Sequence, residues 1–206
     1  MDFIGGYSAV NQGHCHPKIV GELKKQAGKL TLCSRAFNNE MLAEYGAFMT
    51  NRFNYEKILP TNTGVEAVET GMKIARSWGY NTKNIDKHKA KIIVVDNNFG
   101  GRTITAVSAS TNPSAYEDYG PLTPGFIKIP YDNIAALTNV LSGEEEDNIC
   151  AVMIEPIQGE GGIIVPEEGY LEKVRRLCTM FNVLLICDEV QTGLGRTGKL
   201  FETENI

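Results

Sequence analysis

The chain has 206 residues, of which 42% are hydrophobic and 22% charged, and its formal net charge is −5. This mildly acidic balance argues against nucleic-acid or membrane-surface partners. No apolar run approaches the roughly 20 residues of a membrane span. The five cysteines are an odd number without a CxxC pair, which indicates buried thiols in a reducing compartment and not a disulfide framework. The expected location is intracellular, in the cytoplasm or the mitochondrial matrix.

Two helices are predicted in the first third of the chain. Pro17 suits a first helical turn, and apolar residues follow it at helical spacing as far as Leu30. A second helix is predicted over residues 39–53, with one apolar stripe facing a core. That stripe consists of Met41, Tyr45, Phe48 and Met49.

The sequence HCH at residues 14–16 raises the question of a metal site. Zinc needs three or four protein ligands in a workable geometry, and the only other histidine of the sequence is His88, in a lysine-rich loop. No metal site is therefore predicted.

A phosphate-binding helix start is predicted at Gly64. A short strand is expected at residues 57–60, and it leads into TNTGVEAVE, where Thr63 and Glu66 have the spacing of a capping box. Gly64 leaves the backbone N–H groups of the first turn uncovered, so this helix start could bind an anion. The alternative is a well-capped structural helix.

Apolar runs predict four strands, at residues 91–96, 126–130, 149–155 and 183–187. The last run is expected to be buried on both faces, and a helix at 171–181 makes it one half of a parallel βαβ unit. Ligands of open α/β sheets bind beyond the carboxyl ends of the strands. Glu155 and Asp188 stand at such ends, and Asp188 could meet a cationic ligand atom. A helix cap or a structural ion pair is the alternative for Asp188.

The connecting segments are predicted as a loop at 111–125, a helix at 133–141 and an acidic loop at 142–148. Phe99 and Arg102 follow the first strand, where they could cover a planar ligand and bind a carboxylate. A core phenylalanine and a surface arginine are the alternatives. An acid for a cationic ring atom, a helix start for a phosphate and an aromatic cover together suit pyridoxal phosphate.

The glycine-rich segment GLGRTG at residues 193–198 matches a dinucleotide-binding pattern by its letters and also has the glycine–lysine spacing of a Walker A loop. Both motifs require a strand directly before the loop and a helix directly after it. DEVQT intervenes here and no helix pattern follows, so nucleotide binding by this loop is not expected.

Six segments together resemble the class III, fold-type I family of PLP-dependent aminotransferases. They are YSAVNQGHCHPKIV, KLTLCSRAF, LPTNTGVEAVET, NNFGGRT, IEPIQGEGG and ICDEVQTGLGRTGKL, and they cover nearly the whole chain. SAVNQGHCHP and LTLCSRAF most resemble the ornithine aminotransferase branch. The resemblance implies an α/β fold, in which a fold-type I large domain has a mostly parallel sheet flanked by helices.

The resemblance implies a cofactor site for pyridoxal 5′-phosphate. Asp188 would be catalytic, because it would keep the pyridinium nitrogen protonated. Gln191 would donate to the phenolic oxygen of the cofactor. The amides of Gly64 and Val65 would bind the phosphate, and Phe99 would stack on the ring.

The same resemblance implies a supporting role at the cofactor site for Glu155 and substrate contacts for Tyr7, Arg102 and Glu160. Arg102 would bind a substrate carboxylate. Glu160 would act as a switch, which pairs with a C-terminal arginine in one half-reaction and releases that arginine to 2-oxoglutarate in the other. Gly100 departs from the family pattern, since an aromatic residue is common at its position.

The family's Schiff-base lysine follows a strand downstream of DEVQTG, and no lysine of this chain follows such a strand. The lysine is therefore expected beyond Ile206. Residues 1–50 are expected to lead into the large domain, and residues 51–206 are expected to form a cofactor-binding large domain truncated before that lysine. The C-terminal small domain is expected to be absent from the chain.

The resemblance implies that the intact protein is a homodimer that transfers the δ-amino group of L-ornithine to 2-oxoglutarate. The products would be glutamate 5-semialdehyde and glutamate, and the 206-residue piece alone would be inactive. One alternative is another class III aminotransferase, acting on acetylornithine or 4-aminobutyrate. The other is a non-catalytic PLP-binding or interaction protein.

Overall fold

A computed structural model describes residues 3–34, 36–204 and 206. Arg35, inside the segment LTLCSRAF, lies outside the described residues. The chain forms two compact units, residues 1–61 and residues 62–206. The assignment of residues 51–206 to one cofactor-binding domain stays a prediction.

The first unit is helical. Its helices are α1 (Gly5–Ser8), α2 (Pro17–Ala27) and α3 (Glu40–Phe53). Helix α2 has Pro17 in its first turn, as predicted. The side chain of Asn39 caps α3 by accepting a hydrogen bond from the backbone N–H of Leu42 at 3.2 Å. The two helices predicted for this part of the chain are therefore confirmed.

Two predictions for the first unit are wrong. No described residue among 3–61 is buried, and Phe48 in the expected core stripe of α3 is 63% exposed. The helical spacing puts the stripe on one face of α3, but the described part of this unit has no buried core into which that face could pack. Residues 57–60 are also not a strand, because they join none of the ladders that the structure describes.

The second unit is a parallel sheet with helices. Its strands are β1 (Lys91–Val95), β2 (Phe126–Ile129), β3 (Ile149–Ile154) and β4 (Leu184–Cys187), in the order β2-β1-β3-β4. Its helices are α4 (Gly64–Asn81), α5 (Ile104–Ser108), α6 (Pro113–Tyr116), α7 (Ile134–Leu141) and α8 (Tyr170–Met180), with a 3-10 turn at Glu146–Asn148. All three strand pairs are parallel. The predicted fold class, the four strands and the βαβ unit are thus confirmed.

Both faces of the sheet carry helices, because alternate residues of a strand point to opposite faces. Ile93 and Val95 of β1 pack into the apolar cluster that includes α7 and α8. Ile92 and Val94 pack into a second cluster, with Met72 of α4. This burial on both faces explains why β1 is a continuous apolar run in the sequence.

Two further expectations need correction. Strand β4 is only half-buried rather than buried on both faces, because it is an edge strand in the described sheet. The predicted loop at 111–125 contains the one-turn helix α6, which Asn112 caps and Pro113 begins. Helix α5 was not predicted, since its five residues are too few to show a helical period.

Candidate functional site

The carboxyl ends of the parallel strands meet at one edge of the sheet. The backbone N–H of Asp188 donates to the carbonyl of Ile154 at 2.8 Å, so Glu155 and Asp188 follow neighbouring strand ends. A cavity of about 220 Å³ opens at this edge. Its lining includes all six residues that were predicted to bind the cofactor: Gly64, Val65, Phe99, Glu155, Asp188 and Gln191.

A second cavity, of about 710 Å³, shares Phe99, Gly100 and Gly101 with the first. Arg102 and Glu160, two of the predicted substrate residues, line this larger cavity. Tyr7 belongs to the first unit, where its side chain is 70% exposed. A contact between Tyr7 and substrate stays a prediction.

The start of α4 has the predicted capping box. The side chain of Thr63 accepts from the N–H of Glu66 at 3.3 Å, and the Glu66 carboxylate accepts from the N–H of Thr63 at 3.0 Å. The Glu66 carboxylate also accepts from the N–H of Asn62 at 2.6 Å, and this bond lowers its pKa. Helix geometry gives the amides of Gly64 and Val65 no acceptor inside the helix, so they can serve a ligand phosphate.

Glycine lets the loops around the helix start approach closely. A Cβ atom at Gly64 would lie 2.9 Å from Cγ1 of Val190, in the loop after β4. A Cβ atom at Gly101 would lie 2.3 Å from Cγ2 of Val65, and Gly101 has a φ of +115°. Larger side chains at either position would push the walls of the smaller cavity apart.

Glu155 is a buried carboxylate that holds two loops. Its Oε1 accepts from the N–H of Phe99 at 2.9 Å, and its Oε2 accepts from the N–H of Gly159 at 3.2 Å. Burial raises the pKa of Glu155 to about 7, although these two hydrogen bonds act to lower it. The charges of Asp188 and Glu160 add to the rise. The carboxylate therefore fixes the loop of Phe99 relative to the loop of Glu160.

Asp188 presents its carboxylate to the smaller cavity. Its Oδ1 accepts from the N–H of Val190 at 3.0 Å, and burial raises its pKa above the ordinary range. Burial removes the water that would otherwise solvate the negative charge of this carboxylate. A cationic partner would therefore stabilise the charged form. The site therefore suits a ligand with a protonated ring nitrogen.

Phe99 and Arg102 form a pair on the loop after β1. The guanidinium carbon of Arg102 lies 5.8 Å from the centroid of the Phe99 ring. Phe99 is 38% exposed, so it is not a core side chain, which was the alternative from the sequence. Its ring can cover a flat ligand, and the guanidinium remains available to an anionic group in the larger cavity.

Sequence reasoning missed two side chains that support this edge. The hydroxyl of Tyr131 donates to the carbonyls of Glu155 and Pro156 at 3.1 and 2.9 Å. The carboxylate of Glu189 accepts from the Thr192 hydroxyl at 2.9 Å and from the N–H of Thr203 at 2.9 Å. The only sequence signal was that Glu189 is the second acid of a strand-end pair, and nothing local identified Tyr131.

None of the lysines in the described part of the chain lines the smaller cavity. Among residues 3–34, 36–204 and 206, no three His, Cys, Asp or Glu side chains are grouped to hold a metal ion. Within the same described ranges, no helix has both the length and the apolar character needed to cross a membrane.

Comparison with known protein families adds independent information. The family model for aminotransferase class III matches residues 1–206. The chain is 58% identical over 204 residues to the mitochondrial ornithine aminotransferase of Drosophila melanogaster, covering 99% of this chain and 47% of the relative. It is 56% identical to the mitochondrial ornithine aminotransferase of Rattus norvegicus, covering 97% of this chain and 45% of the relative.

Solved structures of aminotransferases also superpose on the chain. The ornithine aminotransferase of Toxoplasma gondii, which has PLP at partial occupancy in its active site, superposes with a TM-score of 0.94 at 49% identity, over 97% of this chain and 46% of that one. An acetylornithine aminotransferase from Elizabethkingia anophelis superposes with a TM-score of 0.86 at 54% identity, over 100% of this chain and 50% of that one. The chain thus spans about half the length of the relatives it matches.

Proposed function

The chain belongs to the class III aminotransferase family, and from this premise we propose that the intact protein transfers the δ-amino group of L-ornithine to 2-oxoglutarate. The products are glutamate 5-semialdehyde and glutamate. The observation that carries the proposal is the cavity of about 220 Å³, whose lining holds a helix start, a ring-covering aromatic and a strand-end carboxylate. Relatives named ornithine aminotransferase support the choice of substrate.

Class III aminotransferases use pyridoxal phosphate, and the residues of the smaller cavity fit it. The amides of Gly64 and Val65 bind the phosphate at the start of α4. Asp188, which has no cationic partner among its described contacts, holds a proton on the ring nitrogen. Phe99 covers the ring, and Gln191 donates to the phenolic oxygen.

Pyridoxal phosphate supplies an electron sink for the pair left when the C–H bond next to the transferred amino group breaks. Asp188 makes this sink effective, because a protonated ring nitrogen accepts electron density better than a neutral one. Glu155 keeps the Phe99 loop in place by accepting a hydrogen bond of 2.9 Å from the N–H of Phe99. The chain's own residues therefore bind and orient the cofactor, and Asp188 holds one proton on its ring nitrogen.

The larger cavity is the proposed place for substrate. Arg102 binds a carboxylate there, and Glu160 acts as the switch residue. The substrate contact of Tyr7 is proposed from the family resemblance alone. The Schiff-base lysine is proposed to lie outside these 206 residues, because none of the described lysines lines the smaller cavity.

The test is a comparison of amino donors with the intact protein that contains this chain. Purified protein is loaded with pyridoxal phosphate and mixed separately with L-ornithine, N-acetylornithine and 4-aminobutyrate, and the change in cofactor absorbance is followed. We expect L-ornithine to give the highest kcat/KM. A preference for N-acetylornithine would support the second candidate function, which the 54% identity to an acetylornithine aminotransferase favours. No reaction with any donor would refute both.

We also propose that residues 1–50 lead into a large domain formed by residues 51–206, and that the intact protein is a homodimer. Apolar side chains of the first unit support the second point, since Leu32 is 86% and Leu23 67% exposed. Light scattering on the intact protein would give its subunit number.

The proposed location is the cytoplasm or the mitochondrial matrix, and the names of the fly and rat relatives support the latter. Fractionation of cells tests it.

A further inference from the structure

A side-chain hydrogen bond joins the two loops that follow β3 and β4. Nε2 of Gln191 donates to Oε1 of Glu160 at 3.1 Å. Gln191 lines the smaller cavity and Glu160 lines the larger one. The bond therefore connects the proposed cofactor site to the proposed substrate site.

The backbone at Gly159 leaves room for the Gln191 carboxamide. A Cβ atom at Gly159 would lie 2.2 Å from Oε1 and 2.8 Å from Cδ of Gln191. The carboxamide thus occupies the space that any side chain at residue 159 would need. The N–H of Gly159 is itself held by Oε2 of Glu155 at 3.2 Å, so the glycine cannot easily move away.

An amide nitrogen has two N–H groups. One of them serves Glu160 in this structure, and the other remains for an acceptor in the smaller cavity. Gln191 therefore has one N–H donor for Glu160 and one for a cofactor oxygen.

We propose that Gln191 is a positioning residue for Glu160, and that it thereby sets how the enzyme discriminates between a diamine-type donor and a dicarboxylate donor. This inference rests on the proposed function. When Gln191 holds the Glu160 carboxylate, that carboxylate stays paired with the switch arginine of the proposed mechanism, and the arginine is not available to the second carboxylate of glutamate. Without the hydrogen bond from Gln191 the carboxylate turns away more readily, which frees the arginine and favours glutamate over ornithine.

The experiment is a double-mutant cycle on the intact, cofactor-loaded protein, with the variants Q191M, E160Q and Q191M/E160Q. Methionine keeps the approximate length of the side chain and removes the donor, and E160Q removes the charge. The quantity measured is the ratio of kcat/KM for L-ornithine to kcat/KM for L-glutamate, each obtained from the single half-reaction by cofactor absorbance. Cycles of this kind isolate the interaction between two residues.

We expect Q191M to lower the ratio about tenfold when Glu160 is present, as for the loss of a hydrogen bond to a charged group. In the E160Q background, Q191M should leave the ratio unchanged. An equal fall in both backgrounds would show that Gln191 acts only through the cofactor and would overturn the proposal. An inactive wild-type protein would instead refute the proposed function, and this inference with it.

A second variant tests the built position without removing the amide. G159A should displace the Gln191 carboxamide and lower the same ratio, and G159A/Q191M should show no lower ratio than Q191M. G21A is the matched control, because a Cβ atom added at Gly21 would meet no neighbouring side chain within 4 Å among the described residues, and Gly21 is not in the left-handed region. An unchanged ratio in G159A would overturn the claim that the Gln191 carboxamide needs the space that Gly159 leaves free.

Discussion

The N–H of Phe99 donates to Oε1 of Glu155 across 2.9 Å, so the loop that covers the candidate site is fixed by a carboxylate that is only 8% exposed. The same carboxylate accepts from Gly159 in the next loop. One buried acid thus sets the positions of a ring-covering residue and of the segment that carries Glu160. Because burial raises the pKa of this acid to about 7, its state changes within the range in which proteins are usually studied.

The first prediction concerns stability and pH. Between the ordinary pKa of 4.5 and about 7, the folded protein keeps a proton on Glu155 that the unfolded chain has lost. The free energy of unfolding should therefore fall as the pH rises from 5 to 7, by at most about 3 kcal/mol from this group, and level off above pH 7. Urea unfolding of the cofactor-free intact protein at pH 5, 6, 7 and 8 measures this dependence. In E155Q the free energy of unfolding should fall less between pH 5 and pH 7, by the amount that Glu155 contributes. Equal pH dependence in the wild type and E155Q would contradict a raised pKa at Glu155.

The second prediction separates crowding from backbone strain. Gly101 and Gly162 have similar φ values of +115° and +118°, but only Gly101 would place a Cβ against another described residue. G162A should cost about 1 kcal/mol of folding free energy for the backbone alone. G101A should cost a further 1–3 kcal/mol, roughly, for the clash with Val65, and should weaken cofactor binding. Thermal unfolding and a cofactor titration would show the difference; equal losses in both variants would mean that the close approach is unimportant.

The third prediction concerns the start of α4. T63A removes the side-chain oxygen that accepts from the N–H of Glu66, and it should lower the free energy of unfolding by about 1 kcal/mol. The affinity for pyridoxal phosphate should fall as well, because the helix start would fray next to the Gly64 amide. T63S keeps the hydroxyl and serves as the control. If T63A and T63S bind the cofactor equally well, the capping box is not needed for the phosphate site.

The fourth prediction concerns the proton on the cofactor ring. D188N removes the charge that would hold this proton, and kcat/KM for L-ornithine should fall by about a hundredfold or more. D147N makes the same chemical change just before β3, at the amino end of the sheet, and should have little effect. Steady-state assays of both variants in the intact protein make the comparison. A D188N enzyme with wild-type activity would remove Asp188 from the mechanism.

The fifth prediction concerns the 206-residue chain on its own. Its first unit exposes a stripe of apolar side chains on α3, and β4 is an unpaired edge in the described sheet. Such surfaces promote self-association. Size-exclusion chromatography with light scattering should therefore show aggregates, and the chain should not catalyse transamination. A monodisperse monomer with a single sharp thermal transition would contradict this prediction.

The sheet was predictable because its signals are local. Strands β1 and β3 are buried on both faces and so are continuous apolar runs, and the start of α4 was visible in the spacing of Thr63 and Glu66. The stripe of α3 failed for a different reason. Helical spacing shows which residues share a face, but it does not show whether the surface that covers this face belongs to the same unit.

One rule made the location of the candidate site predictable: the carboxyl ends of parallel strands meet at the same edge of the sheet. This rule, with the family resemblance, brought Glu155, Asp188 and Phe99 together, while their chemical roles stay predictions. The contacts among the loops could not be foreseen. Gln191 and Glu160 are 31 residues apart, and Tyr131 reaches the carbonyl of a residue 24 positions away, so no spacing in the sequence links them.

The hydrogen bonds of Glu189 to both sides of the glycine-rich loop have a consequence for proteolysis. Its carboxylate accepts from Thr192 on one side of the glycine-rich loop and from Thr203 on the other. A tryptic cut after Arg196, inside this loop, would leave Thr203 on the second fragment hydrogen-bonded to Glu189 on the first. In the intact protein, such a nicked chain would migrate as two bands on a denaturing gel and as one species under native conditions.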